Sequence, residues 1–356
     1  MALASHTPAT WNDILSTTMH NYRKTLTDNI FNSRPLLNFY MSNNRVRKVS
    51  GGISIVEPIV YTEGQADSYA EWDPVTVDPQ QTATAAQYQW KQLVATIAIS
   101  GLEEAQNNSK EMIVNLLEAK IMQAEDTLKT LLNGMLFGTR AGTTPANDFT
   151  GLPVIVGNAN TDAVGGIVTG AATNDWWKSI VVDGSTITDG SGLEAALRDA
   201  YNAASDSGGD RVDAIFTNAY GFGLYEGTLT PQVRYTDVEK ANLGFQNLMF
   251  KSVPMMWDFQ CSGTAEGTPD AVGATYYGLN SKYVGLAIHT DRDFKQSAFT
   301  DNLSGSFGSS VAGSGVPDSG PAGTGLDARV SFITTYGQHT TRNRRRLFKI
   351  TGVTIP

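Results

Sequence analysis

The sequence predicts an α+β fold, and three observations support this prediction. Apolar residues follow a 3.6-residue period for more than thirty residues from Leu102 to Met135, which predicts a long amphipathic helix. Residues 87–99 alternate between apolar and polar side chains, as a half-buried strand does. Helical and strand patterns follow one another closely between 191 and 280, which predicts a compact α/β unit. The chain has 356 residues, enough for about two domains with a core of their own.

The composition is poor in charge. Charged residues make up 17% of the chain, against about 25% in an average protein, and the net charge is -9. An acidic chain of this kind is a poor match for a protein that grips nucleic acid through a basic face. A neutral polar exterior is instead suited to contact with other protein surfaces.

Compartment and membrane association follow from two absences in the sequence. Cys261 is the single cysteine, so the fold owes nothing to an intramolecular disulfide, and synthesis in a reducing cytoplasm is expected. The first residues lack the basic start and apolar run of a signal peptide, and no apolar run approaches the ~20 residues of a membrane span. The sequence therefore predicts a soluble protein without a membrane partner.

The N-terminal third predicts an arm followed by a long loop. Large apolar residues are scattered through 10–40 without a sustained stripe, and Pro35 is expected to interrupt any helix there. Strands are predicted at 51–61 and 87–99, and residues 62–86 between them contain no basic residue. Since an isolated two-stranded hairpin is marginally stable, such a loop needs a surface to lie on.

The strongest helical pattern comes next and predicts a helix from about 109 to 136. At 1.5 Å per residue it spans about 40 Å. Ser100 and Glu103 form a capping box for a short preceding helix, and Asn107 to Ser109 offer a second start.

The remainder of the chain predicts the α/β unit and a strand-rich end. Helices are expected from Ser191 and over 218–229, with strands at 211–217, 247–257 and 274–280. Residues 304–325 are rich in Gly and Ser and are expected to form a loop or insertion. Two further strands are expected at 328–337 and 346–353.

Catalytic signatures are missing from the sequence. It contains no P-loop, no Gly-x-Ser-x-Gly, no His-Glu-x-x-His and no Cys-x-x-Cys. The pair Glu71 and Asp73 resembles a glycosidase acid and base, but an exposed loop offers nothing to separate their pKa values. Glu103 and Glu104 are better explained by a helix N-terminus. The four histidines lie far apart in the sequence and are expected to be ordinary polar residues: His6, His20, His289 and His339. We therefore predict no enzyme, no metal and no cofactor.

Aromatic and basic residues are the other candidates for function. Trp72 lies in the part of the chain least able to form a core, so we expect it at a contact surface, whereas Trp176, Trp177 and Trp257 are expected in the core. One basic cluster holds four arginines, and either phosphate contact or a solvated strand edge explains it. Its members are Arg342, Arg344, Arg345 and Arg346.

The order of these elements resembles one known family. The helix ends in Leu-Leu-Asn-Gly-Met-Leu-Phe-Gly-Thr at 131–139, and Gly-Leu-Pro-Val-Ile-Val at 151–156 and Asn-Asp-Trp-Trp-Lys at 174–178 follow it. Residues 244–258, 276–286 and 344–353 continue the same likeness. Together they resemble the major capsid proteins of tailed bacteriophages, which have the Hong Kong 97 phage fold.

This resemblance implies an architecture in four parts. They are an N-terminal arm at 1–48, an extended β-hairpin loop at 49–92, a peripheral domain at 93–184 and 285–356 that carries the long spine helix, and an α/β axial domain at 185–284. Contacts with a neighbouring subunit are expected from the extended loop, through Glu63, Tyr69, Glu71, Trp72 and Asp73. The arginine cluster is the candidate for contact with DNA, and a solvated strand edge stays the alternative.

The implied function is that of a major capsid protein. Such a subunit assembles with itself, as hexamers and pentamers, into an icosahedral shell around double-stranded DNA. Separate scaffolding, portal and decoration proteins are the expected partners, with weak contact to packaged DNA, and the virion capsid is the expected location after assembly in the host cytoplasm.

The sequence departs from this family in two respects, and two alternative functions also fit it. About fifty residues precede the first strand, so an attached scaffold is not expected, and residues 49–90 contain no lysine for a lysine–asparagine cross-link. A nanocompartment (encapsulin-like) shell protein of the same fold is one alternative. A β-rich protein that binds or cleaves glycans through Glu71, Asp73 and nearby tryptophans is the other.

Overall fold

The structure is a computed structural model that describes most of the chain. The described residues are 34–72, 77–106, 116–138, 147–158, 163–169, 174–205, 210–229, 248–263, 273–297, 300–304 and 325–354. They fall into two compact units. The first contains the described residues within 96–124 and 298–332, and the second contains those within 32–95, 125–297 and 333–356. Among the described residues, no helix has the length and apolar character needed to cross a membrane.

The second unit begins with a helix where the sequence predicted an interruption. Helix α1 (Pro35–Ser42) carries Pro35 in its first turn, where the missing N–H costs no hydrogen bond. Its Leu36 and Tyr40 are completely buried. Strand β1 (Val46–Val49) follows. The helix thus begins at the proline rather than running through it, and 34–49 are folded into the unit.

The core of this unit is a mixed sheet of six strands in the order β7-β16-β11-β8-β10-β9. Their bounds are β7 (Ile180–Asp183), β8 (Ala214–Thr217), β9 (Leu248–Phe250), β10 (Val253–Trp257), β11 (Ala274–Leu279) and β16 (Phe348–Val353). The segment predicted as one strand at 247–257 is a hairpin instead. Lys251 and Ser252 form its turn with positive φ angles of 46° and 67°, which suit a tight two-residue connection.

Successive residues of the central strands point to opposite faces of the sheet. Ile215 and Tyr276 pack under helices α5 (Gly190–Ala204) and α6 (Ala219–Thr228) in one apolar cluster. Phe216 instead meets Phe39 of α1, with ring centroids 5.4 Å apart. The near-continuous apolar runs of β8 and β11 follow from this burial on both faces. Asp189 and Asn218 cap the two helices through their side-chain oxygens.

A second group of strands in this unit is built around β12 (Val284–His289). This strand pairs with β1 in parallel and with the second half of β15 (Gly325–Thr341) in antiparallel orientation. Strand β13 (Lys295–Gln296) pairs with β15 at Ile333 and Thr334. Smaller elements are helix α4 (Leu152–Ile155), the strands β5 (Ala163–Val164) and β6 (Ile167–Val168), and single 3-10 turns at Asp175–Trp177, Gly184–Thr186, Thr290–Arg292 and Arg344–Arg346.

The predicted spine helix is present as α3 (Leu116–Phe137). Its residues 125–137 belong to the second unit, where Leu128, Leu132 and Leu136 are buried. The predicted start at Asn107 to Ser109 lies outside the described residues.

Strand β4 (Lys91–Ser100), of which residues 96–100 belong to the first unit, leads into helix α2 (Gly101–Gln106). The predicted capping box is confirmed, because the Ser100 backbone N–H donates to Glu103 Oε2 and the Glu103 N–H donates to Ser100 Oγ, both at 3.2 Å. Strand β14 (Thr300–Ser304) pairs with the first half of β15, and 305–324 of the Gly-rich segment lie outside the described residues.

The α/β sheet is wider than the predicted axial segment. Two of its strands, β7 and β16, come from outside 185–284, and β16 is central enough to pair with both β7 and β11. The boundary at 185–284 is therefore too narrow for this sheet. A pattern of separate strands does not show which of them share a sheet, since pairing is decided across long stretches of chain.

Candidate intersubunit surface

The extended loop is built on a two-stranded hairpin. Strand β2 (Ile55–Val60) pairs with β3 (Ala83–Tyr88) in a register from Ile55 opposite Tyr88 to Val60 opposite Ala83. Burial alternates along β2, with Ile55 and Ile59 buried and Val60 76% exposed. One face of the hairpin lies on the body of the second unit, and the other face is open.

Beyond the hairpin the loop leaves the body of the protein. At Tyr61 the backbone N–H donates to Thr82 O and the hydroxyl donates to Gln81 O, and farther along the loop Gln80 Nε2 donates to Gln65 Oε1 at 3.3 Å. From 62 to 72 every residue is exposed, including Glu63 and Glu71. Tyr69 is 74% exposed and Trp72 is 93% exposed, so the loop presents two large aromatic side chains to solvent.

The structure thus places four of the five predicted loop residues on one exposed segment, 62–72. Asp73 lies outside the described residues. Trp72 has a positive φ of 76°, unusual for a bulky side chain. That these residues contact a neighbouring subunit stays a prediction.

The base of the loop is fixed by a buried carboxylate. Glu57 is 2% exposed and accepts from Arg47 Nη2 at 2.5 Å and from Arg342 Nε at 2.8 Å. Two guanidinium groups around one carboxylate compensate the desolvation of the acid. Across the hairpin, the Tyr88 hydroxyl donates to Thr341 O at 2.8 Å. Both strands of the loop are therefore bonded to the end of β15, at Thr341, and to the next residue, Arg342.

A tight turn supports the hairpin from a third side. The Gln87 backbone N–H donates to Gly165 O at 2.8 Å, between β5 and β6. Gly165 has a φ of +62°, and a Cβ at this position would lie 2.6 Å from Ala86 Cβ. Glycine is required here both for the turn and for the close approach of the two hairpins.

A basic and aromatic cleft opens at this base. Its volume is about 290 Å³, and it is lined by residues of the loop base, the Trp176 turn and the arginine cluster. The Tyr61 and Trp176 rings are stacked, with centroids 5.0 Å apart and planes 26° apart. Arg342, Arg345 and Arg346 contribute to the same lining. We call these five residues the basic cleft.

Arg344 is the exception within the arginine cluster. It is completely buried, and its guanidinium donates to the carbonyl oxygens of Val154, Ile155 and Gly157 and to Thr169 Oγ1 at 2.7–2.9 Å. A planar guanidinium with five N–H groups can hold several carbonyls in one place. The prediction that Arg344 faces DNA is corrected to a structural role, because its donors are directed into the protein. For Arg342, Arg345 and Arg346 it stays a prediction.

The tryptophan predictions are mixed. Trp177 is 1% exposed and donates to Val164 O, as a core residue does. Trp176 is half-buried in the basic cleft, and Trp257 is 41% exposed, so the prediction that it is a core residue is wrong. The apolar pattern of 247–257 predicts a buried Trp257, but this residue lies at the end of β10 and its side chain is exposed.

The residues weighed for chemistry do not assemble into a site. His6 and His20 lie outside the described residues, and Glu71 is exposed in the loop. Glu103 pairs with Lys120 at 2.8 Å, and this hydrogen bond lowers the pKa of Glu103. Within the described ranges, no group of three or more His, Cys, Asp or Glu is close enough to hold a metal ion.

His339 is buried as part of a hydrogen-bonded pair. Its Nδ1 lies 2.9 Å from Thr150 O, which only accepts, so Nδ1 carries the proton and Nε2 accepts from the Tyr40 hydroxyl at 2.9 Å. Burial lowers the pKa of His339 to about 4. Asp258, which accepts from Asn133 Nδ2 at 3.0 Å, is the opposite case, since burial raises its pKa to about 6.

These two groups should give opposing pH dependences of stability. The neutral His339 stabilises the fold above its ordinary pKa of 6.5, and this stability is lost as the pH falls towards 4. The contribution of Asp258 is greatest below 3.8 and is lost as the pH rises to about 6. Each shift corresponds to about 3 kcal/mol. We expect Asp258→Asn to unfold more readily as the pH falls from 6 to 4, relative to wild type, and His339→Gln to show the reverse.

Urea denaturation at pH 4, 5, 6 and 7 measures both slopes. Each variant serves as the control for the other, because the slopes have opposite signs. Parallel profiles for the two variants and wild type would contradict the assignment.

The described residues include a spine helix, a long hairpin loop and a mixed α/β sheet. The sequence itself matches no known protein family and no curated protein.

Solved structures are similar to this chain over nearly its full length. A chain of the Cyanophage A-1(L) capsid asymmetric unit is 17% identical, with a TM-score of 0.62, over 96% of this chain and 99% of that chain. The capsid of a native GTA particle is 10% identical, with a TM-score of 0.61, over 97% and 99%. The capsid of Myoviridae phage XM1 is 10% identical, with a TM-score of 0.55, over 94% and 96%. The chain therefore has the Hong Kong 97-type fold of tailed-phage capsids, and this prediction of the fold is confirmed.

Proposed function

We propose that this chain is the major capsid protein of a tailed phage and that it self-assembles into the icosahedral shell around double-stranded DNA. The observation that supports this most strongly is the match of 96% of this chain to 99% of a chain in the Cyanophage A-1(L) capsid asymmetric unit.

The surface of the subunit supports the same function. A loop that exposes Tyr69 and Trp72 exposes apolar area that an isolated soluble protein would normally cover. Many copies of one chain in a closed shell provide that cover, since each subunit meets several neighbours. The low charge content fits a subunit with much of its surface in interfaces.

The further expectations belong to the same proposal. We propose assembly through hexamers and pentamers in the host cytoplasm, with separate scaffolding, portal and decoration proteins, and a final location in the virion. Contact with the packaged DNA is weak in this proposal, because an acidic chain repels the phosphate backbone over most of its surface. The similar structures named above are capsids, so they support this function over a nanocompartment shell or a glycan-binding protein.

The test is the assembly state of the purified protein. We expect size-exclusion chromatography to show capsomers or megadalton particles, and negative-stain electron microscopy to show closed shells. A protein that stays monomeric at all concentrations, alone and when co-expressed with the neighbouring phage genes, would contradict the proposal.

A further inference from the structure

We propose that the basic cleft of one subunit receives the acidic loop, residues 62–72, of a neighbouring copy of this chain. This inference rests on the proposed function, because it requires a second copy. The cleft is then the surface that binds the exposed loop. The exposure of the loop shows that it needs a partner surface but not which one.

The loop and the cleft have complementary charges. Within 62–72 the loop carries Glu63, Asp67 and Glu71, and no basic residue. Among the described residues, neither Glu63 nor Glu71 makes an ion pair. The cleft carries Arg345, which is exposed, and Arg346, which is half-buried. Arg342 also lines it, but its Nε is already bonded to Glu57, so Arg345 is the main candidate to meet a loop carboxylate. Charges arranged in this way steer two surfaces together and fix their register.

The aromatic residues are also complementary. Trp72 is 93% exposed beside Glu71, and the cleft offers the stacked Tyr61 and Trp176 rings between its arginines. An indole flanked by a carboxylate matches a site that combines aromatic faces with guanidinium groups. Trp, Tyr and Arg are also the residues that contribute most to binding at protein interfaces.

The geometry favours a neighbouring copy over the same chain. The cleft lies at the root of the loop, since Tyr61 both lines it and begins the exposed segment. Trp72 is eleven positions along the chain from Tyr61, so an extended loop reaches about 36 Å. Each copy thus has one loop directed outward and one cleft at its base. A head-to-tail contact of this kind closes into rings when the rotation between subunits permits it.

Duplex DNA is a poorer occupant of this cleft. Its bases are stacked within the helix and cannot lie on Tyr61 or Trp176, so only the arginines would be used. A protein loop that carries carboxylates and an indole contacts the arginines with the first and the aromatic rings with the second.

Charge reversal in the full-length chain tests the inference. We expect Arg345→Glu and Glu71→Arg each to reduce the yield of particles at least tenfold, because like charges would face each other. The double variant, with both reversals, should recover most of the wild-type yield. Arg198→Glu, on the exposed face of α5, is the matched control for the change in net charge and should assemble normally.

A disulfide trap adds a direct readout. The native Cys261 is buried, so only the introduced surface cysteines are expected to form disulfide bonds. Particles carrying Glu71→Cys together with Arg345→Cys should give a ladder of linked subunits on a non-reducing gel. Neither single variant should do so, nor should Glu71→Cys with Arg198→Cys.

The outcomes separate this inference from the proposed function. Failure of the wild-type chain to assemble overturns both. Normal particles from Arg345→Glu, with no ladder from the cysteine pair, overturn the cleft assignment alone. A normal shell of Arg345→Glu with reduced DNA content would assign Arg345 to the packaged genome and would also overturn it.

Discussion

Replacing Arg344 by methionine is expected to lower the free energy of unfolding by about 3 kcal/mol. Four acceptors, three of them backbone carbonyls, would lose their partner inside the protein. A buried acceptor without a partner costs about 1–3 kcal/mol of stability. Removal of the buried charge offsets part of this loss, because the desolvation cost of the guanidinium is also removed. Arg344→Lys should recover only a fraction of the loss, since one ammonium group cannot reach all four acceptors.

Arg345→Met is the matched control, one residue away and exposed. Its effect on the unfolding free energy should stay within about 0.5 kcal/mol. Urea denaturation of unassembled subunits, followed by circular dichroism, measures all three variants. Equal losses for Arg344→Met and Arg345→Met would show that the buried network does not stabilise the fold as described.

Deleting residues 62–80 is expected to abolish closed shells while leaving the subunit folded. Tyr61 and Gln81 already lie side by side, joined by the bond from the Tyr61 hydroxyl to Gln81 O, so an Asn-Gly linker can close the hairpin. The residues removed that the structure describes are exposed, and the bonds at Glu57 and Tyr88 that fix the base remain. The thermal midpoint should change little, while particle formation is lost.

Replacement of 62–80 by a Gly/Ser segment of equal length is the control that separates reach from chemistry. It should fail to form shells in the same way, because it keeps the length but not the charges and aromatic residues. Negative-stain images and size-exclusion profiles read out both variants. Normal particles from the deletion would show that the loop is not needed for assembly.

Local sequence signals predicted several elements well. The Ser100–Glu103 capping box, the helices from about 191 and 218, and the long helix ending near 136 are present where the patterns placed them. Each depends on contacts between residues a few positions apart, so a single window of sequence contains the signal. The exposure of Trp72 was predicted for the same kind of reason, because nothing in its surroundings could form a core.

The misplaced elements depend on distant partners. Leu36 and Tyr40 fall within the predicted arm, yet both are completely buried in the second unit. Trp257 belongs to an apolar run, which predicts a buried side chain. It lies at the end of β10, where its side chain is exposed. The strands β7 and β16 were separated from the α/β unit because their pairing joins residues about 170 positions apart.

The sequence by itself determined an α+β chain of low charge, with a spine helix, a loop free of basic residues and no catalytic motif. These properties are carried by composition and short-range period. Only the tertiary structure decided what the arginine cluster does, since it buries Arg344 among carbonyls and leaves Arg345 exposed in a cleft beside Tyr61 and Trp176. Neighbouring residues of one type have the same sequence signal, and they take different roles because the backbone turn at Arg344–Arg346 directs one side chain inward and the next outward.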